Sequence, residues 1–170
     1  MKTLDLNFLQ KIPLFTGLTK EKMEQVRSIM TVRTVTEGSY IIRENEHGSE
    51  LFILLDGEVE VSRTLLLKVS GSGMDQRDKM LNKLTADDYA FFGEMGLFDE
   101  NSERTASVIA KTACSVVVLE RESFFRLTES DHEIGHIIVR NILKIVNDRL
   151  NKTSKDVLKL TTALSLALER

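Results

Sequence analysis

The chain has no tryptophan, a single cysteine and a single proline among its 170 residues. One cysteine, Cys114, excludes an intramolecular disulfide and suits a reducing compartment. Basic excess is missing too: 23 Lys and Arg stand against 26 Asp and Glu, for a formal charge of -3. Nucleic acids and anionic membranes are met through basic footprints, so neither is an expected partner. No apolar run is long enough to span a bilayer, and the N-terminus lacks the apolar core of a signal peptide. A cytoplasmic protein is expected. The rest is ordinary for a globular chain, with 42% hydrophobic and 29% charged residues, enough for one domain with a packed core.

The segment from Leu4 to Met30 has helical character, interrupted at Pro13 and Gly17. Thr19 is placed to cap a helix that carries Met23, Val26, Ile29 and Met30 on one face. From Thr31 the pattern changes to β. Val32 to Val35 and Tyr40 to Ile42 are rich in β-branched and aromatic residues, with Gly38 between them. Leu51 to Leu55 is a continuous apolar run, Asp56-Gly57 follows, and Glu58 to Val61 alternates. An Asp-Gly pair between two such runs signals a hairpin. Glu58 and Glu60 read as the wet face of a strand. Ser70 to Gly73 reads as a flexible loop. Met80 to Leu84, Ala106 to Ala110 and Ser115 to Leu119 read as further strands, with Cys114 a small buried hydrophobe. After Ser130 the period is helical again. Ile134, Ile138, Ile142, Ile145 and Val146 form one stripe, and the helix can run to Arg170. Its leucine-rich end, Leu158 to Leu168, calls for a partner helix.

The segment from Phe92 to Val108 concentrates the chemistry. A strand ends at Gly93, where a backbone can approach a ligand closely. The short apolar segment Glu94 to Phe98 reads as one helical turn whose free N–H groups favour an anion. A polar stretch, Asp99 to Glu103, leads to Arg104 at the start of the next strand. There the planar guanidinium can pair a phosphate through parallel N–H bonds. Glu94 can accept from a sugar hydroxyl. Together they describe a site for a sugar phosphate of low net charge.

Phe92-Gly93-Glu94, a short turn with Leu97, and Arg104-Thr105-Ala106 resemble the phosphate-binding cassette of cyclic-nucleotide-binding domains. Ile12-Pro13-Leu14-Phe15 with Gly17-Leu18, Gly38, Gly48 and the strands from Leu51 to Val61 also fall where that family has them. The stretch from Phe92 to Phe124, with Ala110-Lys111-Thr112-Ala113-Cys114, is similar to the bacterial catabolite activators. The resemblance covers roughly residues 4 to 150. It implies a mainly β fold: a jelly-roll-like β-roll flanked by N-terminal helices over 1–130, then a long capping and dimerisation helix over 131–170. It implies that Arg104 pairs the exocyclic phosphate oxygens and Glu94 accepts the ribose 2′-hydroxyl. Backbone N–H groups near Gly93, Gly96 and Thr105 would close around the ligand, with Met95 in the same turn. Val61 and Leu81 would form part of the wall beside the base. No cofactor is implied beyond the ligand itself, cAMP or cGMP. The implied role is a non-catalytic regulatory module, a homodimer signalling through its C-terminal helix to a further protein partner.

The chain departs from the family pattern in three places. Ala86 to Phe91 is about two residues longer than the family's Gly-Asp approach to the cassette, so a bulge is expected. The connection from Arg63 to Asp78 is long. No helix-turn-helix unit is read after the long helix, so no direct DNA contact is expected. The alternative is a β-roll without ligand that serves interaction and dimerisation. Thr105 offers a hydroxyl that suits guanine, yet the activators carry a hydroxyl residue there and use cAMP. Thr153 and Ser154 resemble the hydroxyl pair that reads adenine from the capping helix. His132-Glu133-Ile134-Gly135-His136 matches the zinc-peptidase helix pattern, but Asp131 before it and Gly135 within it fit a helix start better, and His47 is remote.

Overall fold

Local chemistry divides the N-terminal segment as its punctuation requires. In a computed structural model, which describes residues 3–69, 73–99 and 103–168, helix α1 spans Leu6–Leu9 and is capped by Asp5, which accepts from the Phe8 N–H at 2.8 Å. Pro13–Phe15 forms a 3-10 turn, with proline at the first position, where it has no N–H to lose. Helix α2, Lys20–Ser28, is capped by Thr19, which accepts from the Lys22 N–H at 3.3 Å. Leu9, Ile12, Leu14, Phe15, Met23 and Val26 are buried in one core.

Among the described residues eight strands follow: β1 (Met30–Val35), β2 (Tyr40–Ile42), β3 (Glu50–Asp56), β4 (Glu58–Val69), β5 (Gly73–Thr85), β6 (Phe91–Phe92), β7 (Ser107–Ala110) and β8 (Cys114–Glu120). They form two antiparallel sheets of order β1-β8-β3-β6 and β2-β7-β4-β5. The continuous apolar run of β3 is explained by this layering. Leu51, Ile53 and Leu55 face the helices, while Phe52 and Leu54 face the other sheet. A strand covered on both sides has no polar face to alternate with.

That layering corrects the expected Asp56-Gly57 hairpin. β3 pairs with β8 and β6, whereas β4 pairs with β5 and β7. The turn carries the chain from one sheet to the other. Gly57 still takes the positive φ the dipeptide signals, 92°, but turn chemistry does not choose which strands pair. The true hairpin is β4–β5, whose register runs from Glu58↔Thr85 to Val69↔Gly73. The described parts of the long connection from Arg63 to Asp78, residues 63–69 and 73–78, are therefore the outer part of two paired strands. The expected loop residues Ser70 to Ser72 lie outside the described residues. The extra residues before β6 make a 3-10 turn, Ala86–Asp88, rather than a bulge. Asp88 closes it, accepting from the Thr85 N–H at 3.3 Å and hydroxyl at 2.7 Å.

A helix not separated in the sequence reading, α3 (Arg121–Ser130), precedes α4 (His132–Leu168). Asp131 breaks the two and accepts from the N–H groups of Glu133 and Ile134 at 3.1 and 3.3 Å. Ile134, Ile138 and Ile142 enter the helix-side core, and Ile145 packs against it. Asn141 fastens α4 to the N-terminal turn, donating to the Leu14 and Thr16 carbonyls at 3.0 and 2.8 Å. Val146, read as part of that stripe, is instead exposed. It belongs to a second stripe, Val139, Leu143, Val146, Leu150, Thr153, Val157, Leu160, Leu164 and Ala167, spaced alternately four and three residues apart. No helix among the described residues is long and apolar enough to cross a membrane.

Candidate ligand-binding site

The site begins where β6 ends. Gly93 adopts φ 79°, and a Cβ there would lie 2.9 Å from both Arg104 Nη1 and the Glu50 carbonyl. Only glycine turns the chain at this point while leaving room for the arginine. The next residues form the 3-10 turn Glu94–Leu97, in the helical place expected. Leu97 is fully buried and anchors the turn in the core.

Arg104 is 8% exposed. Its backbone is pinned on both sides, its N–H donating to Glu46 at 2.8 Å and its carbonyl accepting from Asn45 at 2.9 Å. The guanidinium donates to the Gly93 carbonyl at 3.2 Å, to the Glu50 carbonyl at 3.0 Å and to Glu50 Oε2 at 2.9 Å. It also lies 5.9 Å from the Phe52 ring centre. Burial pushes its pKa below the usual arginine value, and the Glu50 carboxylate works against that shift. It stays a cation, because a guanidinium does not deprotonate in proteins. A buried charge needs such partners, and these hold the planar fork in one orientation.

Glu94, 9% exposed, accepts at Oε1 from Arg149 Nη1 at 2.7 Å. Glu94 and Arg104 both line one cavity of about 300 Å³. Of the residues expected at the site, Gly93, Glu94, Met95, Gly96, Arg104, Thr105 and Val61 line it. Leu81 does not, and it is 52% exposed. The register shifts between Val61↔Asn82 and Ser62↔Met80, which leaves Leu81 as the extra residue of a bulge. Asn82 and Leu84 take the wall position instead. Val61 pairs with Asn82 on one side and Val108 on the other, so these three present one face. Asn82 is placed by the strand register and Arg149 by the docking of α4: 55 residues separate Arg149 from Glu94, and nothing in α4's spacing marks it. Glu100, Asn101 and Ser102 lie outside the described residues.

Thr153 and Ser154 are exposed on α4 and do not line the cavity. Thr153 donates back to the Arg149 carbonyl at 3.0 Å. His132 stands at the start of α4 with Nδ1 3.0 Å from the Thr128 carbonyl. Among the described residues no group of three His, Cys, Asp or Glu is placed to hold a metal ion. The cavity lining carries Arg104 and Arg149 beside Glu94 and Glu103, a balance suited to a ligand of small net charge.

A family model described as the cyclic nucleotide-binding domain matches residues 32–131. The human cGMP-dependent protein kinase 2 is 32% identical over 168 residues, covering 95% of this chain and 20% of the kinase. The cAMP-dependent protein kinase regulatory subunit of Mycosarcoma maydis is 32% identical over 125 residues, 71% of this chain and 22% of the subunit. The chain thus spans about a fifth of the length of these relatives. Among solved structures, the Thermus thermophilus catabolite activator protein superposes with a TM-score of 0.71 at 27% identity, covering 88% of this chain and 63% of the activator.

Proposed function

Because the chain belongs to the cyclic nucleotide-binding domain family, we propose that its cavity holds a cyclic purine nucleotide, cAMP or cGMP, and that the bound state is passed on through α4. The observation that carries this is the convergence of Gly93, Glu94 and Arg104 on one cavity. Arg104 supplies a preset fork for the exocyclic phosphate oxygens, which compete with the Glu50 carboxylate for it. Glu94 accepts the ribose 2′-hydroxyl. N–H groups near Gly93, Gly96 and Thr105 close around sugar and phosphate, and Met95 borders them. Val61, Asn82 and Leu84 form the wall beside the base. The relatives' names support both nucleotides: one is cGMP-dependent and another cAMP-dependent. Such a module binds and regulates, and its cavity needs no nucleophile.

The second stripe of α4 supports a homodimer. Its four-three spacing is that of a coiled-coil seam. Leu143, Leu150, Val157, Leu160 and Leu164 are 53–70% exposed in the single chain. Burying each against a twin helix is worth about 1.5–3 kcal/mol.

The Glu50 carboxylate on Arg104 favours one second reading, a β-roll that dimerises without ligand. Calorimetric titration with cAMP, cGMP and a dicyclic nucleotide separates the two. Binding is expected for a monocyclic nucleotide, at least tenfold weaker in Arg104→Ala and partly restored in Arg104→Lys. Absence of binding by the intact chain overturns the nucleotide reading in favour of the second.

A further inference from the structure

Arg149 is the residue through which α4 reaches the cavity. It comes from well beyond the part of the helix that Ile134, Ile138 and Ile142 hold in the core. Its Nη1 donates to Glu94 Oε1 at 2.7 Å and its Nη2 to the Phe91 carbonyl at 3.4 Å. The guanidinium lies 5.1 Å from the Phe91 ring centre. Its side chain is 50% exposed, while that of Glu94 is 11% exposed. Among the described residues it is the cation hydrogen-bonded to Glu94.

Two physical consequences follow. A carboxylate has about four lone-pair sites, so Glu94 can keep Arg149 on one oxygen and accept a hydroxyl on the other. A cyclic phosphate is an anion, and a bare Glu94 carboxylate in the same cavity would repel it. Arg149 offsets that charge from the partly exposed side of the pair, against a carboxylate that is itself largely buried.

Resting on the nucleotide reading above, we infer that Arg149 is a positioning residue that couples α4 to the ligand. Its ion pair with Glu94 aims the carboxylate at the sugar and cancels its charge beside the phosphate. Ligand binding and docking of α4 over the cavity therefore reinforce each other. Linkage makes this reciprocal: whatever factor docking adds to affinity, ligand adds to docking.

The test uses the full chain as wild type, Arg149→Gln and Arg149→Lys, with calorimetry for cAMP and cGMP and amide hydrogen exchange over residues 146–157. Arg149→Gln should weaken binding by about five- to tenfold, with Lys between, since half the side chain is in water and the pair is partly screened. Exchange over 146–157 should be faster in Arg149→Gln without nucleotide. Nucleotide should slow it in the wild type and leave it unchanged in the variant. A merely structural surface pair would move neither affinity nor the nucleotide dependence of exchange, and that result overturns the inference. Tighter binding in Arg149→Gln also overturns it, since Arg149 would then be a competitor for Glu94. If the wild type binds nucleotide normally, these failures leave the nucleotide reading intact. A wild type that binds neither nucleotide overturns both.

Discussion

Gly48 stands against the guanidinium of Arg104 so closely that a Cβ on it would fall 2.5 Å from Nε and 2.6 Å from Nη2. The arginine tip cannot simply swing aside, because Glu50 and Gly93 hold it through three hydrogen bonds. Gly48→Ala should therefore dislodge the fork without touching the hydrophobic core. The expected result is a loss of nucleotide affinity of at least tenfold, close to that of Arg104→Ala. Calorimetry reads the affinity and thermal unfolding reads the fold. Unchanged affinity would show that the fork has more freedom than its hydrogen bonds imply.

Glu94 offers a test that isolates the sugar. A charge-assisted bond from the 2′-hydroxyl contributes about 1.5–3 kcal/mol. Glu94→Gln should weaken ribonucleotide binding accordingly. A 2′-deoxy cyclic nucleotide should bind the wild type poorly, and the substitution should add little to that loss. Full additivity of the two changes, measured as a double cycle, would mean that Glu94 reads something else.

The seam of α4 predicts an assembly state. Leu150→Lys with Val157→Lys places like charges where two helices would meet, and truncation after Asn147 removes most of the seam. Both should yield monomers in sedimentation experiments in which the intact chain is a dimer. In the intact chain, nucleotide should change the dimer constant by the same factor by which dimerisation changes nucleotide affinity. An intact chain that stays monomeric at high concentration removes the dimer from the mechanism.

Acid should loosen the joint between α2 and α4. Lys22 Nζ lies 2.6 Å from Asp131 Oδ2 and 3.1 Å from Glu133 Oε2. The Lys22 hydrogen bond, helped by the Ile134 and Glu133 N–H groups, holds the Asp131 carboxyl below its ordinary value of 3.8. A depressed folded pKa contributes stability that is present above the unfolded value and lost as pH falls through the folded one. Lys22 is raised by the same contact, so its contribution fades only on the alkaline side. Asp131→Asn keeps a capping oxygen but removes the charge. Its melting temperature should fall below that of wild type at neutral pH, and the two should converge below about pH 4. Parallel curves down to the acid limit would deny the pair its stabilising role.

Much of this protein is local and hence written along the chain. Thr19 as a cap, the β-branched strands, the burial of Cys114 and the Gly93-Glu94 to Arg104 cassette depend on residues near one another, or on patterns of period two and 3.6. The extra helix α3 escaped because its buried face is thin, with Phe124 its one buried residue. The hairpin signal at Asp56-Gly57 was right about the turn and wrong about the pairing. A dipeptide sets φ and ψ, whereas strand partners are chosen by which faces must be buried, and β3 buries both.

By itself, then, the sequence determined the family and the cassette whose Glu94 and Arg104 line the cavity, since each rests on residue type at short spacing. Only the tertiary structure decided that Leu81 leaves the wall and Asn82 enters it, because a bulge in β5 resets the alternation there. Only the tertiary structure brought Arg149 to Glu94, across 55 residues. A helix face is readable from its period, but the neighbour it meets is set by how the helix is docked. That docking is fixed by the packing of Ile134, Ile138 and Ile142 in the core and by the two hydrogen bonds of Asn141, whose partners Leu14 and Thr16 lie at the other end of the chain.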